Sequence, residues 1–149
     1  MLTTFREEHV RNGYGKYLVT MKPSPQTTEC NEIRGIAGKP SQGEFVGMVT
    51  LLRGTGSNAY SAPDSGFVVH PSKMRRGYAK EAASALLDYV ANTLSVKDVI
   101  GLCDINNEAS QGVLKSLGFR DRGLRELKAF GGKKGVVWTS PGMSEDLSL

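Results

Sequence analysis

A chain of 149 residues suits one domain, long enough to bury roughly two thirds of its unfolded surface. With 39% hydrophobic and 23% charged residues, its composition is that of an ordinary globular protein, and a net charge of +4 is too mild to demand a polyanionic partner. No basic run interleaved with aromatics points to nucleic acid, and no apolar stretch of about 18 residues or apolar N-terminal segment points to a membrane span or a leader.

Cys30 and Cys103 are the only cysteines, too few for a disulfide scaffold. Cys103 closes the apolar run Val99-Ile100-Gly101-Leu102, so a buried thiol in a reducing, cytoplasmic setting is expected. No metal-ligand spacing stands out.

In chain order, residues 2–11 have weak helical character anchored by Phe5 and Val10, and Gly13 and Gly15 end it. Lys16 to Lys22 alternates as a strand that Pro23-Ser24-Pro25 stops. From there to Gly43 the chain is rich in Pro, Gly, Ser, Thr and Gln, which predicts a long hairpin loop in which Ile33 and Ile36 give partial packing. Glu44 to Leu52 is a second strand. Gly54-Thr55-Gly56-Ser57-Asn58-Ala59 matches the dinucleotide fingerprint formally, but Tyr60 to Asp64 follow without helical period, so that reading is rejected.

Asp64 to Ala83 organises the rest. Phe67-Val68-Val69 is a β-favouring run ended by Pro71. Beyond Arg76, Ala79, Ala82, Ala83, Leu86, Tyr89 and Val90 recur at helical spacing over four to five turns. The helix start, Met74-Arg75-Arg76-Gly77-Tyr78-Ala79, sets free backbone N–H groups and two guanidinium groups at the positive end of the helix dipole, an anion site suited to a pyrophosphate. Lys97 to Asp104 is β-like, and a helix from Glu108 to Leu117 is capped by Asn and closed by Gly118, with Phe119 folding back on Leu114. Leu124 to Phe130 and Val136 to Thr139 predict a final hairpin around Gly131 to Gly135, and the tail from Pro141 is polar. There are no repeats and no linker, so residues 1–149 are expected to form a single domain. The element order predicts an α/β fold, a mixed and largely antiparallel twisted sheet flanked by helices.

Two motifs carry a resemblance. The basic-basic-Gly-aromatic-Ala loop at residues 75–79 resembles the coenzyme A loop of the GNAT family of N-acetyltransferases, with Met74 in place of the family's leading Gln or Arg. Asn107, Ser110 and the pair Gly118-Phe119 are similar to that family's second signature in residue type and spacing. The branch most resembled acetylates protein N-termini and small amines. The resemblance implies acetyl coenzyme A as co-substrate, direct transfer of acetyl to a primary amine in a ternary complex, and no metal. It also implies the pyrophosphate at Met74, Arg75, Arg76, Gly77, Tyr78 and Ala79, a backbone N–H near Val68 or Val69 facing the thioester oxygen, and coenzyme contacts from Asn107 and Ser110. Asp64 stands where the family carries a carboxylate that takes the amine proton, against a turn role before Ser-Gly; His70 is a lesser candidate base. The family's tyrosine general acid falls at Leu114, leaving an unassisted thiolate, Tyr78 or a water. The family's opening strand and helices are expected to be missing or shortened, since about 13 residues precede the first strand and the resemblance covers about 13–139. That leaves open a homodimer, and a rival reading as a truncated, catalytically silent coenzyme A-binding paralogue. A nucleic-acid-binding α/β domain is the remoter rival.

Overall fold

A computed structural model describes residues 2–22, 43–55 and 59–144. In chain order the elements are α1 (Leu2–Asn12), β1 (Lys16–Thr20), β2 (Phe45–Leu52), β3 (Asp64–Val69), a 3-10 turn (Pro71–Lys73), α2 (Tyr78–Leu94), β4 (Ile100–Cys103), α3 (Glu108–Ser116), β5 (Arg120–Leu127), a second 3-10 turn (Lys128–Phe130) and β6 (Lys133–Thr139). The strands form one sheet in the order β1-β2-β3-β4-β6-β5. All neighbours run antiparallel except β3 and β4, which are parallel, so the mixed sheet expected from the element order is present. The expected loop between β1 and β2, with Ile33, Ile36 and Cys30, lies outside the described residues, as does the end of the tail.

Alternation along the strands places the core. Val49 and Leu51 of β2 and Val136 and Trp138 of β6 face Leu86 and Val90 of α2 and Leu114 of α3. Tyr89, counted on the apolar stripe, is 44% exposed at its margin. On the opposite face Tyr60, Ala62 and Ile100 form a small second cluster, and the Tyr60 hydroxyl accepts a hydrogen bond from Ala129 N–H (2.9 Å). The same face leaves Leu18 and Val68 exposed, in one cross-strand row with Met48.

Three boundaries differ from the sequence expectation. β5 begins at Arg120 rather than Leu124, because an edge strand needs no apolar alternation and its bulge between Asp121 and Leu124 breaks the pattern. Lys128 to Phe130, expected as strand, form a turn closed by Gly131 in the left-handed region. β4 is shorter than expected, because Lys97 and Val99 are tied instead to Ser140, whose hydroxyl donates to the Lys97 carbonyl and accepts from Val99 N–H.

Two glycines permit close approaches. At Gly101 a Cβ would lie 2.6 Å from Leu114 Cδ2, so its absence lets α3 sit directly on β4. At Gly47 a Cβ would collide with the carbonyl oxygen of Val68. Gly47→Ala is therefore expected to destabilise the fold by about 3 kcal/mol, because backbone and not a side-chain tip must move. Chemical denaturation checks this; an unchanged midpoint would contradict the packing of β2 on β3.

Candidate functional site

The loop between β3 and α2 is pinned at several points. His70 Nδ1 accepts from Ser72 N–H, and Lys73 and Met74 N–H close the turn onto His70 and Pro71 carbonyls. Lys73 Nζ reaches Glu44 (2.6 Å) and Met21 Sδ (3.7 Å), and the Tyr78 hydroxyl also lies on Met21 Sδ (3.9 Å). Arg75 (φ 59°) and Gly77 (φ 83°) both take left-handed backbone, which turns the chain abruptly into α2. Met74, Arg75, Arg76 and Gly77 are exposed, and no side chain caps the helix, so its first N–H groups face outward beside two guanidinium groups. His70, a candidate base from sequence, is committed to its own turn. Tyr78 points its hydroxyl at the first hairpin and does not line the cleft described next.

Between β3 and β4 the sheet opens. The strands share one register pair, Asp64 with Ile100, where Ile100 N–H donates to the Pro63 carbonyl (2.9 Å). A regular parallel ladder would next bond Leu102 N–H to the Ser65 carbonyl. Instead Leu102 N–H donates to Asp64 Oδ1 (3.1 Å). Beyond this point the strands bound a cleft of about 330 Å³ with Ser65, Gly66 and Phe67 on one wall and Leu102, Cys103 and Asp104 on the other; Asn107, Ser110, Leu114 and Phe130 complete it.

The ladder register decides which amides face that cleft. His70 N–H donates to the Val46 carbonyl, so in the antiparallel β2–β3 pairing the even-numbered residues of β3 bond to β2. Val68 N–H is therefore spent on Met48, and the N–H groups of Phe67 and Val69 point towards β4. Of the two residues named from sequence, only Val69 turns its N–H to the β4 side, and Phe67, not singled out there, does so on the cleft wall itself.

Asp64 is half-buried, and desolvation raises its carboxyl to about pKa 7, with the Leu102 N–H pulling the other way. Alternation puts it on the sheet face away from α2, the face of Met48 and Val68. On the cleft's far wall Asn107 caps α3, its side chain accepting from Ser110 N–H (3.0 Å) while its amide NH₂ is left to donate. The Gly118 cap and the return of Phe119 N–H to the Leu114 carbonyl (3.1 Å) follow the expectation. Leu114 is 1% exposed and brings no hydroxyl to the cleft. Cys103 is a buried thiol with its pKa raised by burial. Among the described residues no group of three or more His, Cys, Asp or Glu could hold a metal, and no helix is long and apolar enough to cross a membrane.

A family model described as an acetyltransferase (GNAT) domain matches residues 2–120. An N-acetyltransferase of Bacillus subtilis (strain 168), YnaD, itself uncharacterised, is 31% identical over 80 residues; that stretch is 54% of this chain and 45% of the relative, so the match spans less than half of the relative's length. A Bordetella pertussis protein assigned to the GnaT acetyltransferase family superposes with TM-score 0.64 at 21% identity, covering 93% of this chain and 72% of that one. A spermidine N-acetyltransferase of Vibrio cholerae, SpeG, gives 0.62 at 14% identity, with coverages of 93% and 72%. At these identities the superpositions speak to the fold alone.

Proposed function

Since the chain belongs to the GNAT acetyltransferase family, we propose that it transfers acetyl from acetyl coenzyme A to a primary amine, on a protein N-terminus or a small molecule. The observation that carries this reading is the opened sheet: Phe67 N–H points into a cleft beside β3, and the chain leaving that same strand turns into the uncapped start of α2. Those residues fit the coenzyme. The loop Met74 to Ala79 would take the pyrophosphate on backbone N–H groups with Arg75 and Arg76 beside it, and the pantetheine arm would lie along β3 in place of the missing ladder partner. Asn107 and Ser110 would hold the arm from the other wall.

In the transfer the amine nitrogen attacks the thioester carbon and charge develops on the carbonyl oxygen, which Phe67 N–H on the cleft wall meets. The C–S bond breaks, acetyl stays on nitrogen, and coenzyme A leaves as thiolate. Asp64, half-buried at the start of β3, takes the proton the amine loses through ordered water; a carboxyl with a pKa of about 7 is poised for that exchange. With leucine at 114 and Tyr78 turned to Met21, water supplies the proton to the thiolate. Holding the donor open beside the amine is the larger part of the work.

The test is calorimetric titration with acetyl coenzyme A, followed by thiol release against a panel of polyamines, small amines and peptides with free N-termini. Binding with release on one class supports the proposal and names the acceptor. Binding without release on any member favours a silent coenzyme-binding chain, and no binding overturns the assignment.

A further inference from the structure

The Asp64 carboxylate occupies a position that, in an unbroken parallel ladder, belongs to a backbone carbonyl. Ile100 N–H, to Pro63, is the last ordinary bond that β4 donates to β3, and at its next donor Asp64 Oδ1 intercepts the Leu102 N–H at 3.1 Å. The cleft begins at that step, with Ser65 to Phe67 on one side and Leu102 to Asp104 on the other. The register also states what the interception prevents. With Leu102 N–H on Ser65, the next rung would join Phe67 N–H to the Leu102 carbonyl and close the cleft on itself. Leu102 N–H is half-buried, and leaving it without a partner costs on the order of 1 kcal/mol; a side chain accepts it without bringing β3 closer.

We propose that Asp64 is a positioning residue as well as a proton acceptor: its Oδ1 wedges β3 from β4 and so keeps the Phe67 amide and the Ser65 carbonyl unpaired for the coenzyme arm. The wedge acts through backbone and leaves Oδ2 for the proton. It rests on the coenzyme-binding reading of the cleft, but it also has a signature that needs no ligand. Among the described residues the carboxylate accepts from Leu102 N–H, and no cation forms an ion pair with it from β2, β4 or the 99–107 segment. A neutral amide oxygen can therefore replace it.

The experiment compares the intact protein with Asp64→Asn and Asp64→Ala by acetyl coenzyme A titration, thermal unfolding and amide hydrogen exchange at Phe67. Asparagine retains an oxygen for Leu102 N–H, so its coenzyme Kd should stay within about 3-fold of the parent. Alanine lets the ladder close: Kd should rise at least 10-fold, Phe67 N–H should become protected, and the melting temperature at neutral pH should hold or rise. A merely structural carboxylate would instead give a lower melting temperature for Asp64→Ala with Phe67 unprotected. A carboxylate that serves only as base would leave Kd unchanged in both variants, and either result overturns the wedge. If the parent itself binds no coenzyme, the functional reading fails, and Phe67 protection in Asp64→Ala still decides the wedge.

Discussion

Gly77→Glu should weaken acetyl coenzyme A binding by on the order of 100-fold, equivalent to about 2.7 kcal/mol. A Cβ at Gly77 would meet nothing within 4 Å, so no collision with the rest of the protein accompanies the change. The fold pays only for a non-glycine residue at φ 83°, about 1–2 kcal/mol. What changes is the anion site, where a carboxylate at the start of α2 would compete for the N–H groups and oppose the charge of Arg75 and Arg76. Gly77→Asn is the control, since asparagine tolerates left-handed backbone and brings no charge; it should bind far more tightly than the glutamate variant. Titration of all three proteins checks this, and equal affinities for parent and Gly77→Glu would remove the phosphate loop from the account.

Asp64→Asn should lower kcat about 10²–10⁴-fold, the range ascribed to a positioned base. The rise of parent activity through about pH 7, where Asp64 ionises, should vanish in the variant. Stability should change with opposite sense. The carboxyl is near pKa 7 folded and near 3.9 unfolded, so between those values the folded state keeps a proton that the unfolded state has lost. The stabilisation present below about pH 4 is therefore given up as pH rises through 7, up to about 4 kcal/mol. Asparagine carries no such dependence. Denaturant unfolding at pH 4 and pH 8 should show Asp64→Asn gaining on the parent at the higher pH, and a difference independent of pH would contradict the desolvated carboxylate.

Much of this molecule could be read from residue pattern. Helical spacing placed α2 and α3, Gly118 and Asn107 marked the ends of α3, and the order of elements implied a mixed sheet. The turn at Met74 to Ala79 into α2 was legible because it is local, set by adjacent residues with Gly77 in the left-handed region. The cleft was not, because it depends on how many rungs join β3 to β4. Asp64 could be named as a carboxylate at a strand start, but nothing nearby in sequence says that its partner is Leu102, 38 residues on. The choice between Val68 and Val69 needed the β2–β3 register, and the polar edge strand β5 hid its first four residues for want of an apolar face. Phe130 reaches the cleft from a turn that composition read as strand.

The central claim is that acetyl coenzyme A lies in the opened sheet between β3 and β4, with its pyrophosphate at the start of α2. Backbone amide NMR of the labelled protein with and without acetyl coenzyme A tests it most directly. The account predicts the largest shifts at Phe67, Val69 and Gly77 to Ala79, with smaller ones at Asn107 and Ser110. Shifts confined to the outer groove of α2 along Lys80, Ser84 and Asp88, with Phe67 and Val69 unmoved, would contradict it.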